Sequence, residues 1–475
     1  MRVLVINTNR NLFPVPVIPL GACIVAGAAK RAGHDVQVLD LMFENNPLRA
    51  VETAIELTTP DVIGLSVRNI DNNDMQRPAF FIDGVVSVVA AIRAKTRAPI
   101  VLGGSAVSVM PEEIMRHTGV FCAVLGDGET VFPALLEVLP SQRIPHEIPG
   151  TAWMVDNTFY KYPGASSPPS DASSVPDFSR WIDVRRYLSH LAAVPLQTKL
   201  GCHFGCIYCT YRKIEGNTYR LFDRSGVIES IMRLSESGLR QIEFVDNVFN
   251  SPYGHAISIC EELARLEHKA LLYSLELNPF HIDDALLSVM ERAGFRGIGI
   301  TAESASDKVL AALGKGFNAE SVYHTAEVVR RHKLPCVWIF MLGGPGETDK
   351  TVEETLRFAE NSVRPTDTVF FNLGVRIYPG TELETIARKQ EMLSLPREKM
   401  LKPVFYVSPE VNTDWMLKRV KDSLNSHMNF INSDSIGLSF LPLIHRLAYR
   451  LGMRTPLWKY TRHIRRGLRT LGVDA

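Results

Sequence analysis

From residue 1 to about 140, short apolar runs alternate with stretches of helical period. Arg2–Asn7, Asp35–Asp40, Asp61–Val67, Pro99–Gly103 and Ala123–Leu125 have strand character, whereas Leu20–Arg31, Val51–Leu57 and Gly84–Lys95 read as helices. That alternation predicts βαβ units and a doubly wound, Rossmann-like parallel sheet over residues 1–140. Residues 141–190 lack clean periodicity, and the stretch Tyr162-Pro-Gly-Ala-Ser-Ser-Pro-Pro-Ser170 is punctuated as loop, so a linker is expected there. Alternation resumes with six candidate strands: Ala193–Thr198, Gln241–Val245, Leu271–Leu277, Gly297–Thr301, Cys336–Met341 and Thr366–Leu373. The helical patterns Val227–Ser237, Ala256–Leu266, Asp284–Ala293, Glu320–His332 and Val352–Asn361 intervene. Six βα units over residues 191–390 predict an α/β partial (βα)6 TIM-type barrel, whose chemistry belongs on the loops after the strands. Residues 391–475 read as a mainly helical region, and no internal repeat is visible.

Composition narrows this picture. A chain of 475 residues allows two to four domains, and 46% apolar with 22% charged residues is ordinary globular usage, which excludes disordered, collagenous and coiled-coil chains. The formal net charge of +1 gives no overall field to recruit nucleic acid. The four apolar residues after Arg2 are too few for a signal-peptide core and no stretch approaches a bilayer span, so a cytoplasmic protein is expected. Seven cysteines make no disulfide framework, and in a reducing compartment a clustered set points to metal.

Three of them are clustered. Directly after the first barrel strand comes Lys199-Leu-Gly-Cys202-His-Phe-Gly-Cys206-Ile-Tyr-Cys209. Three thiolates at this spacing can hold three corners of an iron–sulfur cluster and leave the fourth iron open. A structural zinc site and plain buried thiols are the alternatives; zinc would want a fourth ligand, and His203, adjacent to Cys202, is poorly placed to be one. Cys23, Cys122, Cys260 and Cys336 are scattered over expected helices and strands and read as core residues.

The spacing, with aromatic Tyr208 before the last cysteine, resembles the radical S-adenosylmethionine superfamily. The resemblance implies that Cys202, Cys206 and Cys209 carry a catalytic 4Fe-4S cluster whose open iron chelates S-adenosylmethionine. An electron from an external donor of flavodoxin or ferredoxin type would then release a 5′-deoxyadenosyl radical. It further implies that Asp246 and Asn247, at the end of strand two, lie where the family binds the amino group, although the usual Gly-Gly-Glu is absent. Glu303 and Ser304, after strand four, resemble the segment that reaches the ribose. Gly343, Gly344 and Glu347, inside Leu-Gly-Gly-Pro-Gly-Glu-Thr, resemble the adenine-side motif, with Phe340 replacing its first glycine. Arg376, in Arg-Ile-Tyr-Pro-Gly-Thr, closes strand six as in many relatives. Taken singly, the glycines also read as turn residues and Glu303 as a helix cap.

A doubly wound sheet ahead of such a barrel, running on through Ile148-Pro-Gly150, resembles the cobalamin-dependent branch of the superfamily, and the resemblance covers about residues 1–410. Ligands of open α/β sheets lie beyond the strand C-termini at the switch in strand order. That selects Asn7, Thr8 and Asn9 after strand one, and Arg68 and Asn69 after strand three. It also selects Gly103, Gly104 and Ser105 after strand four, and Gly126, Gly128 and Glu129 after strand five. No Gly-x-Gly-x-x-Gly occurs in this domain, which disfavours a dinucleotide, and no Asp-x-His occurs anywhere in the chain. The branch commonly lacks that histidine motif; the cobalt would then have no protein histidine, with Arg68 or Asn69 nearest its lower face and His34 structural. An ordinary surface ion pair is the alternative for Arg68.

The implied activity is C-methylation of an unactivated carbon in a small-molecule or lipid substrate. One S-adenosylmethionine remethylates cob(I)alamin; the other supplies the radical that abstracts a substrate hydrogen before methyl transfer from methylcobalamin. Ring formation or rearrangement with the same cofactors is the alternative, and a cobalamin-responsive binding protein is the non-enzymatic one, against which the intact cysteine triad speaks. Because Cys23, Cys122, Cys260 and Cys336 are scattered, a second iron–sulfur cluster is not expected, which disfavours the methylthiotransferase relatives, whose amino-terminal domain supplies three further cysteines.

Between Asp434 and Asp474 no acidic residue occurs, and Arg446, Arg450, Arg454, Lys459, Arg462, Arg465, Arg466 and Arg469 do. Leu443, Leu447 and Leu451 fall at helical spacing, as do Leu457, Tyr460, Ile464, Leu468 and Leu471. An apolar stripe beside a basic face is the pattern of a helix lying on an anionic membrane, so residues 436–475 suggest peripheral contact at the inner face of the membrane. Packing on the barrel is the alternative, and nucleic acid is disfavoured.

Overall fold

The computed structural model describes residues 1–139, 148–162, 164, 175–433, 440–453 and 456–470. Its first sheet is built from β1 (Arg2–Asn7), β2 (Asp35–Asp40), β3 (Val62–Ser66), β4 (Ile100–Gly103) and β5 (Cys122–Val124), all parallel. Two antiparallel strands, β6 (Thr151–Val155) and β7 (Thr158–Lys161), extend it to the order β2-β1-β3-β4-β5-β6-β7. Residues 151–161, expected in the linker, are therefore part of the sheet. The reversal of order lies between β1 and β3, where an open α/β sheet opens a crevice at its C-terminal edge. Helix Leu20–Arg31 covers one face closely because its buried positions are small: Ala22, Cys23, Ala26, Ala28 and Ala29.

The ribbon β9 (Lys199–Leu200) and β10 (Arg220–Leu221) brackets the cysteine loop. Around it runs a second, all-parallel sheet of β8 (Val194–Leu196), β11 (Gln241–Phe244), β12 (Leu271–Leu277), β13 (Phe295–Glu303), β14 (Cys336–Leu342) and β15 (Thr368–Leu373). These are the six expected strands. A seventh, β18 (Phe430–Asn432), pairs with β15 and adds an edge from the region read as helical. Before it lies the ribbon β16 (Val375–Arg376) with β17 (Phe405–Tyr406). Among the described residues no helix is long and apolar enough to cross a membrane.

The two sheets are fused. Ile207, Leu313, Val375 and Leu383 of the second half join the apolar cluster that covers one face of the first sheet. A buried ion pair, Arg376 Nε to Asp71 Oδ2 at 3.0 Å, clamps the loop after β3 to the barrel. Tyr378 donates to Asn73 Oδ1 at 2.8 Å beside it.

Candidate active site at the junction of the two sheets

The cysteine loop is held from both sides: Ile207 N donates to Leu313 O at 3.1 Å and Leu383 N to Ile207 O at 3.1 Å. Cys202 is buried, and Cys206 and Cys209 are half-buried. Burial raises the Cys202 thiol and pushes Cys209 up to about 11, with Lys315 partly opposing both, so metal must displace their protons. Among the described residues no three His, Cys, Asp or Glu side chains converge on a single-ion site, which disfavours tetrahedral zinc. His203 turns away and packs on Phe204 and Tyr219 at ring-centroid distances of 4.3 and 5.0 Å. Three thiols on one loop suit three corners of an iron–sulfur cluster. Cys23, Cys122, Cys260 and Cys336 are buried core residues, as their positions in helices and strands imply.

Tyr208 reaches inward, its hydroxyl donating to Glu303 Oε1 at 2.9 Å. Glu303 ends β13 with a left-handed φ of 62°, directly after a register shift against β14, and this local strain turns its carboxylate toward the cysteine loop. Lys315 Nζ donates to both, at 3.2 Å each. Burial opposes the Lys315 charge, but Tyr208 and Glu303 outweigh it and hold this ammonium well above its ordinary pKa.

Several residues placed on the cosubstrate by resemblance have other partners. Asp246 is buried; it accepts from Thr198 N and Thr198 Oγ1 at 2.7 Å each and pairs with Lys199 Nζ at 3.2 Å. Asn247 donates to Glu215 Oε2 at 2.7 Å, and Ser304, fully buried, meets Thr355 Oγ1 at 3.0 Å. Glu347 is 0% exposed and accepts from Gly343 N at 2.6 Å and Gly344 N at 3.1 Å, so it shapes the glycine turn from within. Besides Asp71, Arg376 donates to the carbonyls of Ile377 and Met400 at 2.6 and 3.1 Å. Asp246, Ser304, Glu347 and Arg376 thus each have protein partners that position the loops carrying them.

On the other side, one cavity of about 1440 Å³ runs from the C-terminal edge of the first sheet to the cysteine loop. Asn7, Asn9, Arg68 and Asn69 line it from the loops after β1 and β3. Gly103, Gly104 and Ser105, with Gly126, Gly128 and Glu129, line it from those after β4 and β5. Thr8 does not; its hydroxyl donates to Ser66 O at 2.9 Å. Gly104 has φ +100°, and a Cβ there would sit 2.5 Å from Val67 O, so only glycine fits. A Cβ on Gly103 would meet nothing nearer than 4.0 Å, so this glycine leaves open space for a large ligand. Arg68 makes no ion pair among the described residues; it donates to Asn69 Oδ1 at 3.1 Å, and its confined surroundings lower its pKa. The surface ion pair considered for it is absent from these contacts. His34 lies at the opposite edge, 3.5 Å from the N-terminal amine and 3.6 Å from Glu137, as a structural residue would.

Tyr208, Cys209, Tyr211 and Glu215 line the same cavity from the cysteine loop and the short helix after it. Sequence reasoning passed over Glu215, Lys315, Glu243 and Glu276. Glu215 ties Gln197, Gly201 and Asn247 together. Burial raises Glu243 to about 7 and Glu276 to about 8, with Arg68 opposing the first and Lys315 the second. Neither carboxylate makes a hydrogen bond or ion pair among the described residues, although the Glu276 carbonyl accepts from Phe249 N at 2.7 Å. None of the four belongs to a motif; a carboxylate on a mostly buried barrel strand was the trace of Glu243 and Glu276.

The family model of the Radical SAM superfamily matches residues 197–359, and that of the B12 binding domain matches residues 9–136. An uncharacterized methyltransferase of Pyrococcus horikoshii is 26% identical over 385 residues, covering 79% of each chain. The tryptophan 2-C-methyltransferase of Streptomyces laurentii is 24% identical over 434 residues, covering 78% of this chain and 72% of its own. The methyltransferase TsrM of Kitasatospora setae, solved with cobalamin and a [4Fe-4S] cluster, superposes with a TM-score of 0.85 at 20% identity and 98% coverage of both chains, so the fold is shared throughout. With a cysteine triad on the first barrel loop facing an open crevice of the first sheet, the chain belongs to the cobalamin-dependent radical S-adenosylmethionine enzymes, whose cofactors are a 4Fe-4S cluster, S-adenosylmethionine and cobalamin.

Proposed function

We propose that this enzyme is a C-methyltransferase acting on an unactivated carbon of a small-molecule or lipid substrate, with electrons from an external flavodoxin- or ferredoxin-type donor. The observation that carries the reading is the shared cavity, in which Arg68 and the glycines of the first sheet stand across from Tyr208, Cys209 and Tyr211. When bound, cobalamin supplies a methyl group and the reduced cluster supplies the electron that splits S-adenosylmethionine into the hydrogen-abstracting radical. Cys202, Cys206 and Cys209 hold the cluster as thiolates. Tyr208, locked by Glu303 and Lys315, fixes the loop that carries them. Gly103, Gly104 and Ser105, with Gly126 and Gly128, bring bare backbone to the corrin, and Glu129 adds a carboxyl whose pKa burial raises. Arg68 lines the cavity next to these glycines and would lie beside the corrin, where a guanidinium, being cationic, would supply charge and not a metal ligand. No histidine is among the described residues that line the cavity, so this chain would offer the bound cobalamin no imidazole ligand.

The test is comparative mass spectrometry of extracts from cells with and without the gene, followed by turnover of the anaerobically reconstituted enzyme. A product heavier than its precursor by CH2, formed with S-adenosylhomocysteine and 5′-deoxyadenosine, is expected. A product of unchanged carbon count would refute methyl transfer and favour cyclisation or rearrangement.

A further inference from the structure

The basic C-terminal region divides into two helices that use their charges differently. In helix Thr461–Thr470, Arg465 is buried and donates to His427 O at 2.9 Å and to Leu424 O at 3.1 Å, while Arg469 donates to Asn425 O at 2.9 Å. These guanidiniums cap the C-terminal carbonyls of helix Thr413–Ser426, a favourable place for positive charge. Lys459 donates to Arg296 O at 3.2 Å. This part of the tail therefore packs on the barrel. Arg454 and Leu471 lie outside the described residues.

Helix Leu441–Arg450 is different. Its buried side is complete with Leu441, His445 and Ala448, and it packs on helix Val184–Ser189. His445 has no hydrogen-bond partner on either ring nitrogen among the described residues, and burial lowers it to about 4, so that side is apolar and uncharged. On the solvent side Leu443, Leu447 and Leu451 are 67%, 57% and 71% exposed. At i, i+4 and i+8 they form one stripe. Arg446 and Arg450 are exposed on the adjoining arc, and neither makes an ion pair among the described residues.

We propose that this leucine stripe, with Arg446 and Arg450 beside it, docks the enzyme on an anionic membrane surface. Folding has no use for the stripe, because the helix already buries another face. A second copy of the chain is disfavoured, because a two-fold contact would bring Arg446 and Arg450 against their own copies. A bilayer interface offers acyl chains to the leucines and phosphates to the arginines at the same depth. This surface is independent of the chemistry proposed for the cavity.

The test is co-sedimentation of the full-length enzyme with vesicles of phosphatidylcholine alone or of equal parts phosphatidylcholine and phosphatidylglycerol. Wild type is expected to pellet with the anionic vesicles, and higher salt should weaken this without abolishing it, since the apolar part is not screened. Combined Leu443→Ser, Leu447→Ser and Leu451→Ser should weaken binding about tenfold or more. Arg446→Glu with Arg450→Glu should do so about tenfold on anionic vesicles only. Thermal melting of both variants checks that the fold is kept. Wild type that ignores anionic vesicles, or a folded leucine variant that binds them like wild type, overturns the proposal. So does light scattering that shows a dimer dissolved by the leucine substitutions, which would assign the stripe to a second copy.

Discussion

Breaking the Asp71–Arg376 pair should loosen the cobalamin side of the cavity from the barrel. Both side chains are essentially shielded from water, at 0% and 3% exposure, and 305 residues separate them in sequence. Removing one partner of a buried pair generally costs about 3–5 kcal/mol, because the other charge is stranded. In Asp71→Asn the guanidinium keeps its bonds to Ile377 O and Met400 O, and the amide oxygen can still accept from Asn73 N, so the lower end, about 3 kcal/mol, applies. For a cooperative unit of roughly 200 residues that corresponds to a melting temperature lower by about 6–12 °C. Calorimetry of Asp71→Asn, Arg376→Met and the double variant measures it. The double variant, which removes the stranded charge, should lose less than the sum of the singles by about 1 kcal/mol or more. The loop after β3 also carries Arg68 and Asn69, so Asp71→Asn should weaken cobalamin retention on gel filtration. A shift below about 2 °C together with strictly additive losses would refute the buried clamp.

Three further outcomes are expected. Reconstitution with iron and sulfide should load about four iron atoms per chain, and combined Cys202→Ala, Cys206→Ala and Cys209→Ala should abolish this while Cys260→Ala leaves it intact; equal losses would remove the cluster from this loop. The optical spectrum of bound cobalamin should be free of histidine coordination and unchanged by His34→Ala but altered by Arg68→Ala, and a change confined to His34→Ala would reverse the reading of the lower face. Glu347, raised by burial to about 8, binds its proton more tightly folded than unfolded, so its contribution to stability is full below the ordinary carboxyl pKa and fades as pH rises toward 8. Glu347→Gln keeps the acceptor for Gly343 N and Gly344 N and should flatten that decline in chemical-denaturation midpoints; identical pH profiles would count against a protonated Glu347.

Much of the architecture was legible because strands and helices announce themselves through local periodicity. The apolar run Leu271–Leu277 became β12 with the same limits, and Leu20–Arg31 the helix beneath the first sheet. The hairpin β6–β7 went unread although Asp156 and Asn157 are a two-residue turn, both with positive φ of 47° and 66°. Its flanking runs are short, and the Pro- and Ser-rich stretch beyond them dominated the reading of that segment. The strand Phe430–Asn432 went unread because three residues carry no period; it exists through its pairing with β15.

The candidate site divides in the same way. Sequence by itself determined that three thiols share one loop after the first barrel strand and that glycines fill the loops at the edge of the first sheet, since these are matters of spacing and residue type. Tertiary structure alone decided where each side chain spends its hydrogen bonds. Asp246 turns to Lys199, Arg376 to Asp71, and Glu303 to Tyr208 and Lys315. Those partners come from other segments of the chain: β9, the cysteine loop, the loop after helix Asp307–Ala312 and, for Arg376, the loop after β3, so a motif could place the residue on its loop but not assign its charge. The same holds for the tail: among the described residues of one basic, leucine-bearing segment, Arg465 and Arg469 reach the carbonyl end of Thr413–Ser426, whereas helix Leu441–Arg450 packs on Val184–Ser189 and leaves its leucine stripe exposed.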